Sequence, residues 1–169
     1  MNSNVKLYSL SLRDVRTYAF AALFIVGNIV FPQLCHALMP KGGLIFLPIY
    51  FFTLIGAYKY GAKVGLLTAL LSPIINSAFF GMPPVAALPM IVMKGVLLAC
   101  AASVIANRTK SVSILALLAV VLMYQVVGCG IEWAVKGSFM AGVQDFRLGV
   151  PGMLIKVIGG WAFFKFILK

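Results

Sequence analysis

The sequence predicts an all-α integral membrane protein, a compact bundle of six transmembrane helices with both termini in the cytoplasm. Three observations predict it. Of 169 residues, 63% are hydrophobic and 10% charged, with a mean hydropathy of +1.08, whereas a water-soluble domain is about 45–50% apolar and about 25% charged. The apolar residues fall into six long runs, separated by short breaks rich in Pro, Gly and charge. The basic residues gather in the breaks that an alternating path places on one side. Spans of about 20 residues each leave room only for short loops, so residues 1–169 form a single transmembrane domain. A transmembrane barrel would need strict alternation of apolar and polar residues, and these runs are apolar throughout.

The first span follows Lys6, Arg13 and Arg16 and covers about residues 17–38. It is too long for a signal peptide, and more membrane follows it. The second covers about 43–57, after the Met39-Pro40-Lys41-Gly42-Gly43 break, and the third about 64–80, after Tyr58-Lys59-Tyr60-Gly61. The fourth, about 85–106, follows Gly81-Met82-Pro83-Pro84, and the fifth, about 112–133, follows Asn107-Arg108-Thr109-Lys110. The sixth covers about 150–168. Pro48, Pro73 and Pro89 are expected to interrupt the second, third and fourth spans. A proline frees carbonyls that neighbouring helices or a lined cavity must satisfy.

The orientation follows from the basic residues. With the N-terminus inside, Lys6, Arg13, Arg16, Lys59, Lys63, Arg108, Lys110, Lys165 and Lys169 lie on the cytoplasmic side, and only Lys41, Lys136 and Arg147 lie outside. The formal charge of +11 therefore reads as membrane topology. No basic stripe with interleaved aromatics suggests nucleic acid.

Within this topology three ionisable residues, Lys94, Lys156 and Glu132, share the outer half of the membrane. Charges there are expensive and face the bundle interior. Two lysines with one acid suit an outward-opening pocket for an anionic group, although Glu132 neutralising one lysine while Lys156 snorkels to the interface accounts for the same residues. Gln125 and Glu132 are seven apart on one face of the fifth span, and Ser72 and Asn76 four apart on the third. Asn28 and Cys35 share a face of the first span, and Cys35 precedes the sole histidine, His36. Thiolate and imidazole both suit a borderline transition metal. Two ligands do not complete a protein metal site, but one suffices as the axial bond to a metal already held in a macrocycle; a buried Cys beside an interfacial His is the plainer reading.

Catalysis finds no motif: there is no HExxH, GxSxG or P-loop and no carboxylate pair, so the chain is not expected to be an enzyme or to hydrolyse ATP. Cys35, Cys100 and Cys129 form neither a CxxC nor a disulfide framework. Small residues form two ridges, Gly61-Gly65-Ala69 and Gly95-Ala99-Ser103, suited to packing within the bundle or against a partner. A non-transport scaffold of the MreD-like cell-shape type would share the size and span count without needing a pocket.

Leu47-Pro48, then Tyr58-Lys59-Tyr60-Gly61-Ala62-Lys63-Val64-Gly65, Leu71-Ser72-Pro73 and Phe80-Gly81-Met82-Pro83-Pro84 form a run over about residues 44–106. With six spans and no ATPase motif, it resembles the substrate-binding S-components of energy-coupling factor (ECF) vitamin transporters, including the BtuM-like cobalamin branch. The resemblance implies a protein of the bacterial inner membrane that binds a vitamin or cofactor from outside. An EcfT-type membrane subunit and two cytoplasmic ATPases would drive release. It implies no intrinsic cofactor, and a bound substrate such as cobalamin or haem, with Cys35 or His36 on its metal and Lys94 and Lys156 on its phosphate or propionates. A smaller anionic vitamin or precursor fits the same lysines. Many S-components carry AxxxA in the first span for the EcfT-type partner. Here Ala19, Ala21 and Ala22 have no alanine four residues on, so the expectation is either that Gly61 and Gly65 make the partner contact or that the protein is a solitary S-component.

Overall fold

The computed structural model describes residues 6–38, 48–143, 146–147 and 149–168. Leu47, the Met39 to Gly43 break, Lys41, Lys169 and the start of the expected second span lie outside these residues. All the regular structure described is helical. Helix α1 is Val15–Leu38. A 3₁₀ turn, Pro48–Tyr50, leads into α2, Phe51–Tyr60. Helix α3 is Ala62–Phe80, and a second 3₁₀ turn, Val85–Ala87, enters α4, Leu88–Thr109. Helix α5 is Ile114–Lys136, followed by the short α6, Phe139–Gly142. The last helix has three pieces: α7 (Val150–Leu154), a π-helical turn (Ile155–Gly159) and α8 (Gly160–Phe166).

Four stretches are long and apolar enough to cross a membrane: Val15–Leu38, Ala62–Phe80, Val85–Thr109 and Ile114–Lys136. The side-chain distribution is inside-out relative to a water-soluble bundle. Asn28, Thr53, Thr68, Ser72, Asn76, Lys94, Gln125, Glu132 and Lys156 are buried, while Leu23, Val26, Val30 and Leu34 of α1 and Leu115, Leu122 and Val126 of α5 are exposed. Water would penalise so continuous an apolar exterior, whereas lipid matches it.

The helix ends follow local chemistry. Asp14 accepts the N–H of Arg16 at 2.9 Å and so caps α1. Ser113 caps α5 through the N–H of Ala116 at 3.1 Å. The prolines do less than expected. Pro48 opens a turn that leads into α2, and Pro89 sits in the first turn of α4, where an N–H has no helical acceptor to lose. Pro73 lies inside an unbroken α3. The Ala69 carbonyl that Pro73 cannot bond faces α4 at Gly95, where an added Cβ would stand 3.5 Å from that oxygen.

Glycines set the closest approach. A Cβ on Gly65 would lie 2.3 Å from that of Ala57, so α2 and α3 touch backbone to backbone there. Gly61, between them, has φ +99°, a conformation open to glycine, and Ser9 and Tyr8 press on it. The N-terminal segment runs over this turn, with Tyr8 N–H on Lys59 O at 2.7 Å and Leu10 N–H on Tyr60 O at 3.1 Å. Lys59, expected in a loop, is buried in the last turn of α2 and donates its ammonium to the Leu168 carbonyl. Tyr8 and Leu168 therefore meet at Lys59, which brings the two described ends of the chain to one end of the bundle. Tyr58 ties the α4–α5 turn to the same end by donating to Ser111 O at 2.8 Å.

Candidate functional site

Helix α5 organises the buried charge. Tyr124, Gly128 and Glu132 recur every four residues and are buried on one face. Lys94 enters from α4, its aliphatic stem lying over Gly128, where a Cβ would stand 3.1 Å from Lys94 Cγ. The missing side chain is thus the space the lysine occupies. Lys94 Nζ donates to Glu132 Oε2 at 2.5 Å, and Lys136, one turn on, donates to Glu132 Oε1. Lys94 is 1% exposed and Glu132 5%.

Lys156 comes from the last helix, on the π-helical turn. Such turns widen a helix by one residue and recur at functional sites. Its Nζ donates to Tyr124 Oη at 2.6 Å and lies 5.1 Å from the ring centroids of both Tyr50 and Tyr124. Those two rings are 5.9 Å apart. Tyr50 Oη donates to the Ile91 carbonyl at 3.4 Å, one turn before Lys94. The cluster therefore draws on the start of α2, on α4, on α5 and on the last helix. Its two ammoniums attach to points on α5 eight residues apart, about 12 Å along the axis.

The structure brings Lys94, Glu132 and Lys156 onto one helix face, and sequence reasoning placed Gln125 there as well. Gln125 is buried beside Tyr124, with its Nε2 unpaired among the described residues. Glu132 takes Lys136 as its second cation, and Lys156 meets two tyrosines. Tyr50 and Tyr124 escaped the sequence reading, and Lys136, expected only as an outer-loop cation, ends the helix and pairs with Glu132. The i,i+4 spacing of Glu132 and Lys136 was the available signal for that pair; nothing local marks the tyrosines.

Asn28 and Asn76 belong to a separate layer. Asn28 Nδ2 donates to Thr53 Oγ1 at 2.9 Å and to Ser72 Oγ at 3.2 Å, and its Oδ1 accepts the Phe52 N–H at 3.1 Å. This knot joins α1, α2 and α3. Asn76 Oδ1 accepts from Gln33 Nε2 at 3.1 Å, again between α1 and α3. Cys35 and His36 sit half-buried in the last turn of α1. Neither side chain bonds to the lysine cluster, and the described residues contain no group of three His, Cys, Asp or Glu. Gly61 and Gly65, expected to face a partner, are buried against the N-terminal segment and Ala57.

The buried Lys156 ammonium, framed by the Tyr50 and Tyr124 rings, offers charge, hydrogen-bond donors and stacking surface to an anionic, partly aromatic molecule, and Lys94 adds a second buried cation paired with Glu132. They supply no nucleophile–base pair. No protein-family model matches the chain, and no curated protein or solved structure matches it either.

Proposed function

We propose that the protein is the high-affinity substrate-binding subunit, or S-component, of an ECF-type importer in the bacterial inner membrane. In this reading all six helical stretches span the bilayer, both termini are cytoplasmic, and an EcfT-type subunit with two ATPases drives release. The observation that carries it is the burial of Lys94 and Lys156 on one face of α5. A charge inside the membrane is costly and marks a substrate path more readily than a packing role. The end of the bundle away from these lysines collects Lys6, Arg13, Arg16, Lys59, Lys63, Arg108, Lys110 and Lys165, which supports an inside assignment for that end. The lysines then lie in the outer half of the membrane.

The substrate in this reading is an anionic vitamin or cofactor. A metallo-tetrapyrrole leads, cobalamin first and haem next, because Cys35 or His36 can lend the one axial bond such a metal needs. A smaller anionic vitamin or precursor follows if the Cys-His pair is structural. A scaffold of the MreD-like type is the second reading, favoured by the engagement of Glu132 and Asn28 within the chain.

The test is native mass spectrometry with absorption spectroscopy on protein purified in mild detergent from cells supplied with cobalamin and haem. One ligand per chain, lost in Lys94→Leu and Lys156→Leu, is the expected result. A corrinoid or Soret band abolished by Cys35→Ala or His36→Ala identifies the axial ligand, and a metal-free ligand retires the tetrapyrrole. Empty protein in repeated preparations, together with a Lys156→Leu variant that melts with the wild type and stays functional, favours the scaffold.

A further inference from the structure

We propose that the cleft between the N-terminal segment and the adjoining ends of α1 and α2 binds a phosphate-bearing anion. The cleft lies at the opposite end of the bundle from the lysine cluster and is independent of the transport reading. It encloses about 360 Å³ and is lined by Tyr8, Leu10, Arg16, Phe20, Lys59 and Tyr60. That volume lies within the range of small-molecule sites.

Its construction favours an anion. Carbonyls in the last turn of a helix carry partial negative charge and would repel one. Here the Lys59 and Tyr60 carbonyls are covered by the N–H groups of Tyr8 and Leu10. The walls are aromatic: Phe20 and Tyr60 stack with centroids 3.9 Å apart, and Tyr8 and Tyr60 stack at 5.9 Å. Lys59, buried in the last turn of α2, also lines the cleft. Its ammonium spends one of three donors on the Leu168 carbonyl. Arg16 stands exposed at the mouth, and its guanidinium has no hydrogen-bond or ion-pair partner among the described residues. The nearby acid, Asp14, is engaged on the N–H of Arg16. A guanidinium and an ammonium lining one cleft supply charge-assisted donors for the tetrahedral oxygens of a phosphate.

Two sources supply that group, the head of an anionic phospholipid and a free phosphate. The first fits the outer surface of α1. Arg16, Phe20 and Leu23 lie at i, i+4 and i+7, and Leu23 is 61% exposed, so an acyl chain can leave the cleft along an apolar track. A basic pocket between helices at the membrane surface is a recurring site for anionic head groups.

Three variants of the full-length protein in mild detergent test the site: Arg16→Gln, Arg16→Lys and Lys63→Gln. Lys63 is exposed at the same end and does not line the cleft. Native mass spectrometry reads retention of dioleoylphosphatidylglycerol against dioleoylphosphatidylcholine, and calorimetric titration reads inorganic phosphate. The expected result is one phosphatidylglycerol per chain, held about tenfold more weakly in Arg16→Gln, as for one lost charge-assisted hydrogen bond. Arg16→Lys keeps the preference for the anionic lipid, and Lys63→Gln changes nothing. Saturable binding of inorganic phosphate without lipid selection, lost in Arg16→Gln, supports the site with a soluble ligand. Equal losses in Arg16→Gln and Lys63→Gln show general surface charge and overturn the proposal. So does indifference of both ligands to Arg16→Gln in protein with an unchanged melting temperature.

Discussion

Replacing Asn28 by leucine keeps the number of side-chain heavy atoms and removes the polar atoms that Asn28 brings to the knot between α1, α2 and α3. Two donor bonds, to Thr53 and Ser72, disappear, along with the acceptor for the Phe52 N–H. Ser72 keeps its bond to the Thr68 carbonyl at 2.7 Å, so its hydroxyl is not orphaned. The Phe52 N–H is a different matter, because it lies in the first turn of α2, where no helical carbonyl reaches back to it. A hydrogen bond between membrane helices contributes about 0.6 kcal/mol on average, and a buried N–H left without an acceptor costs about 1–3 kcal/mol. The sum is about 2–4 kcal/mol, a fall in Tm of roughly 4–16 °C for a chain of this size. Thermal unfolding in mild detergent measures it, with Thr53→Ala as the milder comparison at about 1 kcal/mol. If Asn28→Leu melts with the wild type but loses its ligand, Asn28 serves the substrate and the reasoning is wrong.

Two further predictions rest on contacts of the same kind. Gly65→Ala should improve intrinsic helix propensity yet lower stability by about 1–3 kcal/mol through overpacking against Ala57, and Ala57→Gly in the same chain should recover part of that loss. A Gly65→Ala protein that melts no lower than the wild type would rule out the close approach of α2 and α3. Breaking the Lys94–Glu132 pair by Lys94→Met or Glu132→Gln should be strongly destabilising either way, whereas the double variant should fall short of the summed losses by about 0.5–3 kcal/mol. Lys136→Met, at the exposed end of the network, should cost less than about 1 kcal/mol. Additive losses for Lys94 and Glu132 in thermal or denaturant unfolding would mean that the two are not coupled.

Helix positions were the most legible feature. The expected 17–38, 64–80, 85–106 and 112–133 lie close to Val15–Leu38, Ala62–Phe80, Val85–Thr109 and Ile114–Lys136, because long apolar runs leave a backbone in lipid no other way to satisfy its own hydrogen bonds. The polar residues that had to be inside were legible for the same reason: Lys94, Lys156, Glu132, Asn28, Asn76 and Gln125 are all buried. Their partners were not. Gln125 and Glu132 share a face by the seven-residue rule, yet the face that gathers the lysines runs through Tyr124, Gly128 and Glu132. Helical spacing states which residues align on one helix and is silent on the rotation of that helix toward its neighbours.

By itself, then, the sequence determined the helical class, the apolar exterior and the identity of the costly interior groups, since each follows from transfer energies and local geometry within one segment. Tertiary structure decided how those groups are spent. Asn28 and Asn76 tie α1 to its neighbours, Glu132 holds Lys94 and Lys136, and Lys156 leaves the last helix on a π-helical turn to meet Tyr124 and Tyr50. Lys59, read from the sequence as a loop cation, became the point where the two described chain ends meet. Each of these contacts joins residues distant along the chain, and only the packing of whole helices, side chain against missing side chain, brings them within hydrogen-bonding distance.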